Sequence, residues 1–147
     1  MKIQTITCTG NYRKEHFFKT INSIADYFLN HHSKINIILS NDFENQTDTP
    51  NINKEIQIKP FSECIKDSDV VLSIGGDGTI LSTIRRIGKK TIPILGVHIG
   101  NLGFLTQSTE ETLLQALNCL TEGNYKVEKR LLLGIEVKNN VQKQYCA

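Results

Sequence analysis

The apolar residues of this chain follow two spacings, one typical of buried strands and one typical of amphipathic helices. The strongest short apolar run, Asp69–Ile74, has the composition of a parallel strand that is covered on both faces. The predicted strands cover residues 3–7, 34–39, 69–74, 92–97 and 131–137. Because helical segments separate most of them, and parallel strands require such crossovers, we expect an α/β fold with helices on both sides of a parallel sheet.

In the helical segments, apolar residues recur every three or four positions. These segments cover residues 13–32, 80–87 and 108–122, with a single helical turn at 62–66. The Ser-x-x-Glu pattern of Ser108–Glu111 predicts a capping box that opens the last helix, and Gly123–Asn124 predicts its end. Residues 40–54 are rich in Asn, Asp and Thr and predict a long loop. Because the chain becomes strand-rich afterwards, we expect an α/β domain over 1–124 and the beginning of a second, β-rich domain over 125–147.

Composition narrows the class of protein. The 147 residues include 39% hydrophobic and 22% charged residues, which is typical of a soluble globular domain. No apolar run approaches the roughly 20 residues of a membrane helix, and the N-terminus lacks a signal peptide, so we expect a cytoplasmic protein without a membrane partner. A net charge of +2 and the absence of aromatic residues among the basic clusters argue against nucleic acid binding. The four cysteines are widely separated and predict free thiols, and no cluster predicts metal ligands from the chain itself.

The segment Gly75–Thr79, Gly-Gly-Asp-Gly-Thr, lies between a buried strand and a helix. Ligands of open parallel sheets bind at the carboxyl ends of the strands, and glycines allow the backbone to approach a phosphate closely. The following helix presents free N–H groups to an anion. A carboxylate in such a turn repels phosphate unless it has another task, so Asp77 is predicted to accept a proton or to hold a metal, with a simple turn role as the alternative.

Gly75–Thr79 resembles the GGDGT motif of a kinase superfamily that includes NAD kinases, diacylglycerol and sphingosine kinases and, more distantly, 6-phosphofructokinases. Leu95–Thr106 resembles the NAD kinase segment G-[IV]-N-x-G-x-L-G-F-L, at a similar spacing from the first motif. Glu128–Leu133 looks like the arginine-containing strand that opens the second domain of NAD kinases. The resemblance covers residues 69–147 and implies a Rossmann-like N-terminal domain of the NAD kinase and phosphofructokinase type.

The resemblance also implies a reaction. Asp77 would take the proton from the adenosine ribose 2′-hydroxyl of NAD, which would attack the γ-phosphate of ATP, or polyphosphate as the alternative donor, to give NADP. Mg²⁺ or another divalent metal would neutralise the triphosphate. Gly76 and Gly78 would allow close approach to phosphate or ribose. Thr79 is either a helix start or a hydroxyl contact, and Phe104 is either a contact to the NAD adenine or a core residue.

Two positions depart from the family pattern. His98 stands where the family usually has asparagine, and an imidazole is larger and can titrate. Ser82 stands where many members carry arginine or another polar contact to the nucleotide, so it is a candidate contact without the positive charge. Arg85 and Arg86 follow one turn later. Leu102 and Leu105 are interpreted as packing residues.

The resemblance implies a longer enzyme and leaves alternatives open. NAD kinases carry most of the NAD site in a second domain, so we expect this chain to be inactive alone and the intact enzyme to form a dimer or tetramer. One alternative is a lipid kinase of the diacylglycerol type. Another is a nucleotide-binding module that performs no chemistry.

Overall fold

A computed structural model describes residues 3–31, 34–42, 51–100, 103–136 and 144–146. One sheet contains six strands in which every neighbouring pair is parallel: β1 (Thr5–Gly10), β2 (Asn36–Ser40), β3 (Gln57–Lys59), β4 (Val70–Gly75), β5 (Ile94–His98) and β6 (Ser108–Thr109). The helices are α1 (Phe17–His31), α2 (Phe61–Cys64), α3 (Asp77–Ile87) and α4 (Leu113–Glu122). Two further strands, β7 (Gly134–Glu136) and β8 (Gln144–Cys146), form a separate antiparallel pair. The predicted α/β fold with a parallel sheet is confirmed.

The strand order is β3-β2-β1-β4-β5-β6. From β1 the chain continues through β2 to β3 at one edge of the sheet. It then returns to the other side of β1, where β4 begins. The carboxyl ends of β1 and β4 therefore diverge into connections on opposite sides, which makes a crevice at the topological switch point of the sheet. Gly10 at the end of β1 lies opposite Ile74, and Gly75 at the end of β4 lies opposite His98 on β5. The segment Gly75–Thr79 thus begins at this crevice.

Helices cover both faces of the sheet. On one face, α1 and α4 contribute apolar side chains to the larger core, together with Val70, Leu72 and Ile74 of β4. On the other face, Val71 packs with residues of α2 and α3 in a smaller cluster. Successive residues of one strand point to opposite faces, and all of β4 is buried, which explains its continuous apolar run.

Helix α4 offers a direct test of the larger core. Leu117 is fully buried there, whereas Leu114 on the same helix is 52% exposed. We expect Leu117→Ala to lower the free energy of unfolding by about 2 to 5 kcal/mol, because it leaves a cavity. Leu114→Ala should change it by no more than about 0.5 kcal/mol. Urea unfolding of both variants measures the difference, and equal losses would contradict the packing of α4 on the sheet.

Several element boundaries differ from those predicted. Helix α1 begins at Phe17 rather than at residue 13, and α3 begins at Asp77 rather than at residue 80. Strands β3, β6 and β8 were not predicted. The predicted capping box at Ser108–Glu111 is wrong, because Ser108 pairs with Val97 in the sheet and α4 begins only at Leu113. Gly123 ends α4, as predicted, and adopts a left-handed conformation.

The remaining predictions agree in part. The helical turn at 62–66 corresponds to α2, and the last predicted strand corresponds to β7, which begins three residues later than expected. Residues 43–50 of the predicted loop lie outside the described residues. Within the described ranges, no helix is both long enough and apolar enough to cross a bilayer. A domain boundary at residue 125 stays a prediction.

Candidate functional site

The turn between β4 and α3 is closed by Thr79. A Cβ atom at Gly75 would lie 2.3 Å from the Thr79 hydroxyl oxygen, so this position requires glycine. The Gly76 N–H donates to the same hydroxyl at 3.4 Å, and the Gly76 carbonyl accepts from the Thr79 and Ile80 N–H groups to begin α3. Thr79 therefore has a structural role in shaping the helix start. Asp77 and Gly78 form the first turn of α3, where unpaired N–H groups favour an anion.

The Asp77 carboxylate is held by the backbone of the second motif. The Phe104 N–H donates to Oδ2 and the Leu105 N–H donates to Oδ1, each at 2.9 Å. A Cβ atom at Gly103 would lie 2.2 Å from Oδ1, so the absence of a side chain there lets the loop close on the carboxylate. The two segments that carry the resemblance are thus joined at Asp77. Leu105 was interpreted as a packing residue, but its amide is part of this contact, and Leu102 lies outside the described residues.

These two hydrogen bonds fix the charge of Asp77. The N–H groups of Phe104 and then Leu105 lower the pKa of the carboxyl below its ordinary value, and the nearby His98 lowers it further. The partly exposed carboxylate is therefore ionised at neutral pH. It is oriented as a hydrogen-bond acceptor and has lone pairs left for a substrate hydroxyl.

The space beside the turn is open. No atom of the described residues lies within 4 Å of a Cβ atom built at Gly76 or Gly78, so these two backbone positions can be approached by a ligand. Phe104 is 98% exposed, so the alternative of a core phenylalanine is wrong. Ser82 is exposed on α3. The predicted site residues thus follow β4 along the first turns of α3, with Phe104 brought beside them by the contact with Asp77.

His98 is buried at the end of β5. It is 4% exposed, and neither ring nitrogen has a hydrogen-bond partner within the described ranges. Buried polar atoms without partners are uncommon in folded proteins, and they cost free energy unless a ligand or water satisfies them. His98, one of the two departures from the family pattern, thus lies in a strand position opposite Gly75.

A second polar cluster, which was not predicted, holds the C-terminal end of α3 in place. The Arg86 guanidinium binds both oxygens of Asp42, at 2.7 and 2.8 Å, and stacks on the Phe61 ring at 3.8 Å from its centre. Thr9 and Ser40 donate their hydroxyls to the same Asp42 carboxylate. Arg86 is therefore engaged by Asp42 rather than directed to a nucleotide. The residues of this cluster are far apart in the sequence, so no local sequence pattern predicts it.

The Asp42 cluster should make stability depend on pH. Burial opposes ionisation of Asp42, but hydrogen bonds from Arg86 and Ser40 outweigh it and lower the pKa of the carboxyl. A lowered pKa in the folded state stabilises the fold above the unfolded pKa, and that stability is lost as pH falls through the folded pKa. Both side chains are about one-third exposed, so we expect a coupling between Asp42→Asn and Arg86→Gln of about 1 kcal/mol at pH 7.

The measurement is a double-mutant cycle of urea unfolding, made at pH 7 and repeated at successively lower pH until Asp42 is protonated in the folded state, which its lowered pKa places below the usual range for aspartate. The coupling should shrink at the acid pH because protonated Asp42 no longer binds the guanidinium as an anion. Glu128→Gln with Arg130→Gln serves as the control pair, since that ion pair joins two exposed side chains. A coupling for Asp42 and Arg86 as small as that of the control would contradict their role in fastening α3.

The other reactive groups do not belong to the site. Burial raises the pKa of the Cys8 thiol to about 12 and that of Cys64 to about 11, so neither is a nucleophile at neutral pH. Cys119 is also a free thiol. The described part of the chain contains no group of three or more His, Cys, Asp or Glu side chains arranged to hold a metal ion.

Comparisons with known proteins identify the family to which this chain is similar. Residues 9–125 match the family model for the ATP-NAD kinase N-terminal domain. The NAD kinase of Nitrosomonas europaea is 31% identical over 137 residues, which cover 93% of this chain and 44% of the relative. The NAD kinase of Methanothermobacter thermautotrophicus is 47% identical over 81 residues, which cover 54% of this chain and 29% of the relative. The chain thus spans less than half the length of these curated relatives.

Two solved structures share the fold. Yeast NADH kinase complexed with NADH superposes with a TM-score of 0.77 at 19% identity, over 99% of this chain and 44% of that one. An NAD kinase from Archaeoglobus fulgidus in complex with ATP has a TM-score of 0.50 at 19% identity, over 90% of this chain and 40% of that one. At this identity the structures support the fold alone. The family-model match covers most of the chain, and the chain therefore belongs to the ATP-NAD kinase N-terminal domain family.

Proposed function

We propose that the protein is an NAD kinase, which transfers the γ-phosphate of ATP to the adenosine ribose 2′-hydroxyl of NAD and so makes NADP. The observation that carries this proposal is the Asp77 carboxylate, held by the Phe104 and Leu105 amides at the carboxyl end of β4. Family membership supports this class of enzyme. The geometry supports a site for the chemistry, because it joins an ionised carboxylate to open backbone positions.

Asp77 would act as the general base. Its two bound N–H groups leave the carboxylate ionised and fixed in direction, so it can accept the proton as the 2′-oxygen attacks phosphorus. The lowered pKa makes it a weak base. That suits phosphoryl transfer, in which positioning and charge stabilisation supply most of the rate acceleration. The first turn of α3 would direct its N–H groups towards the phosphates.

We also propose that the nucleotides bring a divalent metal, Mg²⁺, with them. The described residues offer a single carboxylate, Asp77, in the turn, and no cluster of three ligands. Mg²⁺ is commonly held by one or two carboxylates together with substrate phosphates and water, so this donor set fits an ion bound mainly to the triphosphate. Such an ion neutralises charge on the transferred group. Polyphosphate as the donor stays an alternative.

The remaining features of the proposal concern the nucleotide contacts and the assembly. Phe104 would stack on the adenine of NAD, which its nearly complete exposure supports. Gly76 and Gly78 would lie against phosphate or ribose, for which the open space beside them is available. Ser82 would be a lesser contact. The enzyme would be cytoplasmic, and the family resemblance supports its assembly as a dimer or tetramer.

The test is NADP formation from ATP, Mg²⁺ and NAD by the natural full-length protein. NADP should form in a manner that requires ATP and the divalent metal. Phosphorylation of diacylglycerol, offered in place of NAD, would indicate a lipid kinase. Nucleotide binding without turnover would indicate a module that performs no chemistry. A folded protein that makes no NADP would contradict the proposal.

A further inference from the structure

Two series of hydrogen bonds connect Lys14 to the end of β4, where the Gly75–Thr79 turn begins. Its ammonium donates to the Ile99 carbonyl at 2.7 Å, and the Ile99 N–H donates to the Gly75 carbonyl at 3.2 Å. Along the backbone, the Lys14 N–H donates to the Asn11 carbonyl, and the Asn11 N–H donates to the Ile74 carbonyl at 2.9 Å. The short segment that follows β1 is therefore joined to the end of β4. This arrangement brings a cation to the mouth of the switch-point crevice.

No carboxylate of the described residues pairs with the charge of Lys14. None of the ion pairs of the described residues includes it, and its single hydrogen-bond acceptor is a neutral carbonyl. An ammonium has three N–H groups, so two remain available beyond the bond to Ile99. The side chain is half-buried, which reduces the screening of its charge by water. A partly desolvated cation with free donors is suited to an anionic ligand.

We propose that Lys14 is a phosphate-binding residue of this crevice, contacting the phosphates of a nucleotide that lies against Gly76 and Gly78. The inference rests on the proposed function for the identity of that nucleotide. Open backbone positions, the first turn of α3 and the free donors of Lys14 all lie around the ends of β1, β4 and β5. The bond to Ile99 holds the ammonium in place before the ligand arrives.

Binding of phosphate probes by the full-length protein tests this inference. Lys14→Gln keeps a side-chain N–H donor but removes the charge, and Lys14→Arg keeps both. Lys19→Gln removes the same charge from an exposed position on α1 and serves as the matched control. We expect Lys14→Gln to weaken tripolyphosphate binding about tenfold or more, Lys14→Arg to restore most of it, and Lys19→Gln to leave it unchanged. Calorimetry with tripolyphosphate, ATP and NAD gives the affinities.

The three probes distinguish the sources of the phosphate. Loss with tripolyphosphate and ATP assigns Lys14 to the phosphoryl donor, whereas loss with NAD alone assigns it to the dinucleotide. Unchanged affinity for all three probes in Lys14→Gln would overturn the inference, as would failure of the unaltered protein to bind any of them. A lower melting temperature with unchanged affinity would mean that Lys14 only fastens the β5 loop. If no NADP forms but Lys14→Gln still weakens tripolyphosphate binding, the proposed function fails and the phosphate site stands.

Discussion

Replacing Asp77 with asparagine is expected to lower the rate of NADP formation at least about 10²-fold, the smallest effect typical of removing a general base. The loss should fall mainly on kcat, because the proton is transferred only in the transition state. Asparagine has nearly the shape of aspartate, so the space for the nucleotide is retained. Steady-state kinetics of the full-length protein with ATP and NAD measure the change.

The asparagine variant needs a control for the loop that Asp77 holds. The carboxylate accepts from both Phe104 and Leu105, but an amide has only one oxygen and opposes its NH₂ group to the second N–H. Hydrogen exchange at these two amides reports whether the loop has moved, and the affinities for ATP and NAD report whether binding survives. Asp67→Asn removes the same charge from an exposed turn and should leave the rate unchanged. A loss of less than tenfold in Asp77→Asn would exclude Asp77 as the base.

The parts of the fold that the sequence predicts well are those with a strong apolar pattern. Strand β4 is predicted by its continuous apolar run and helix α1 by its single apolar face, because packing in the core favours apolar residues at the buried positions. Strand β3, with the sequence Gln57–Lys59, has one apolar residue, which is itself 46% exposed, and it lies at an edge of the sheet. Strand β6 has only two residues at the other edge. Edge strands carry little burial and thus little pattern.

Competition between local and tertiary contacts explains the wrong capping box. Ser108 has the right spacing to Glu111, but its backbone pairs with β5, and Thr112 accepts the Thr109 N–H through its hydroxyl. The local sequence indicates which hydrogen bonds a segment is able to form, whereas pairing in the sheet determines which of them form. The helix therefore starts after this short strand.

The candidate site was also predicted only in part. The motif predicts that Asp77 follows a buried strand at the ligand-binding edge of the sheet, and the structure has it there. The amides of Phe104 and Leu105 were not predicted as its partners, because every residue has a backbone N–H and such contacts leave no mark on side-chain identity. Lys14 was missed because its neighbour Ile99 is 85 residues away in sequence. The glycine at 103 is the one trace that the loop contact leaves in the sequence.

Gly103 makes the second large effect predictable. A methyl group there would lie 2.2 Å from the Asp77 carboxylate, so Gly103→Ala must displace either the carboxylate or the loop. The base remains chemically intact, but its direction changes, and displacements near 1 Å can cost about 10²-fold in rate. We expect Gly103→Ala to lower kcat between about tenfold and 10²-fold. Overpacking should also reduce the free energy of unfolding by about 1 to 3 kcal/mol.

Gly78→Ala is the matched comparison, because a methyl group at Gly78 meets no atom of the described residues within 4 Å and the residue lies in the first turn of α3. Alanine in a helix should raise the free energy of unfolding by about 0.5 to 1 kcal/mol, yet its methyl group would occupy the space proposed for the nucleotide. The two variants should therefore separate: Gly103→Ala loses stability and kcat, whereas Gly78→Ala gains stability and loses nucleotide affinity. Urea unfolding, kinetics and calorimetry on the same preparations measure all three quantities. If Gly78→Ala binds ATP and NAD as tightly as the unaltered protein, the nucleotide does not lie against this turn, and the open space beside Asp77 needs another occupant.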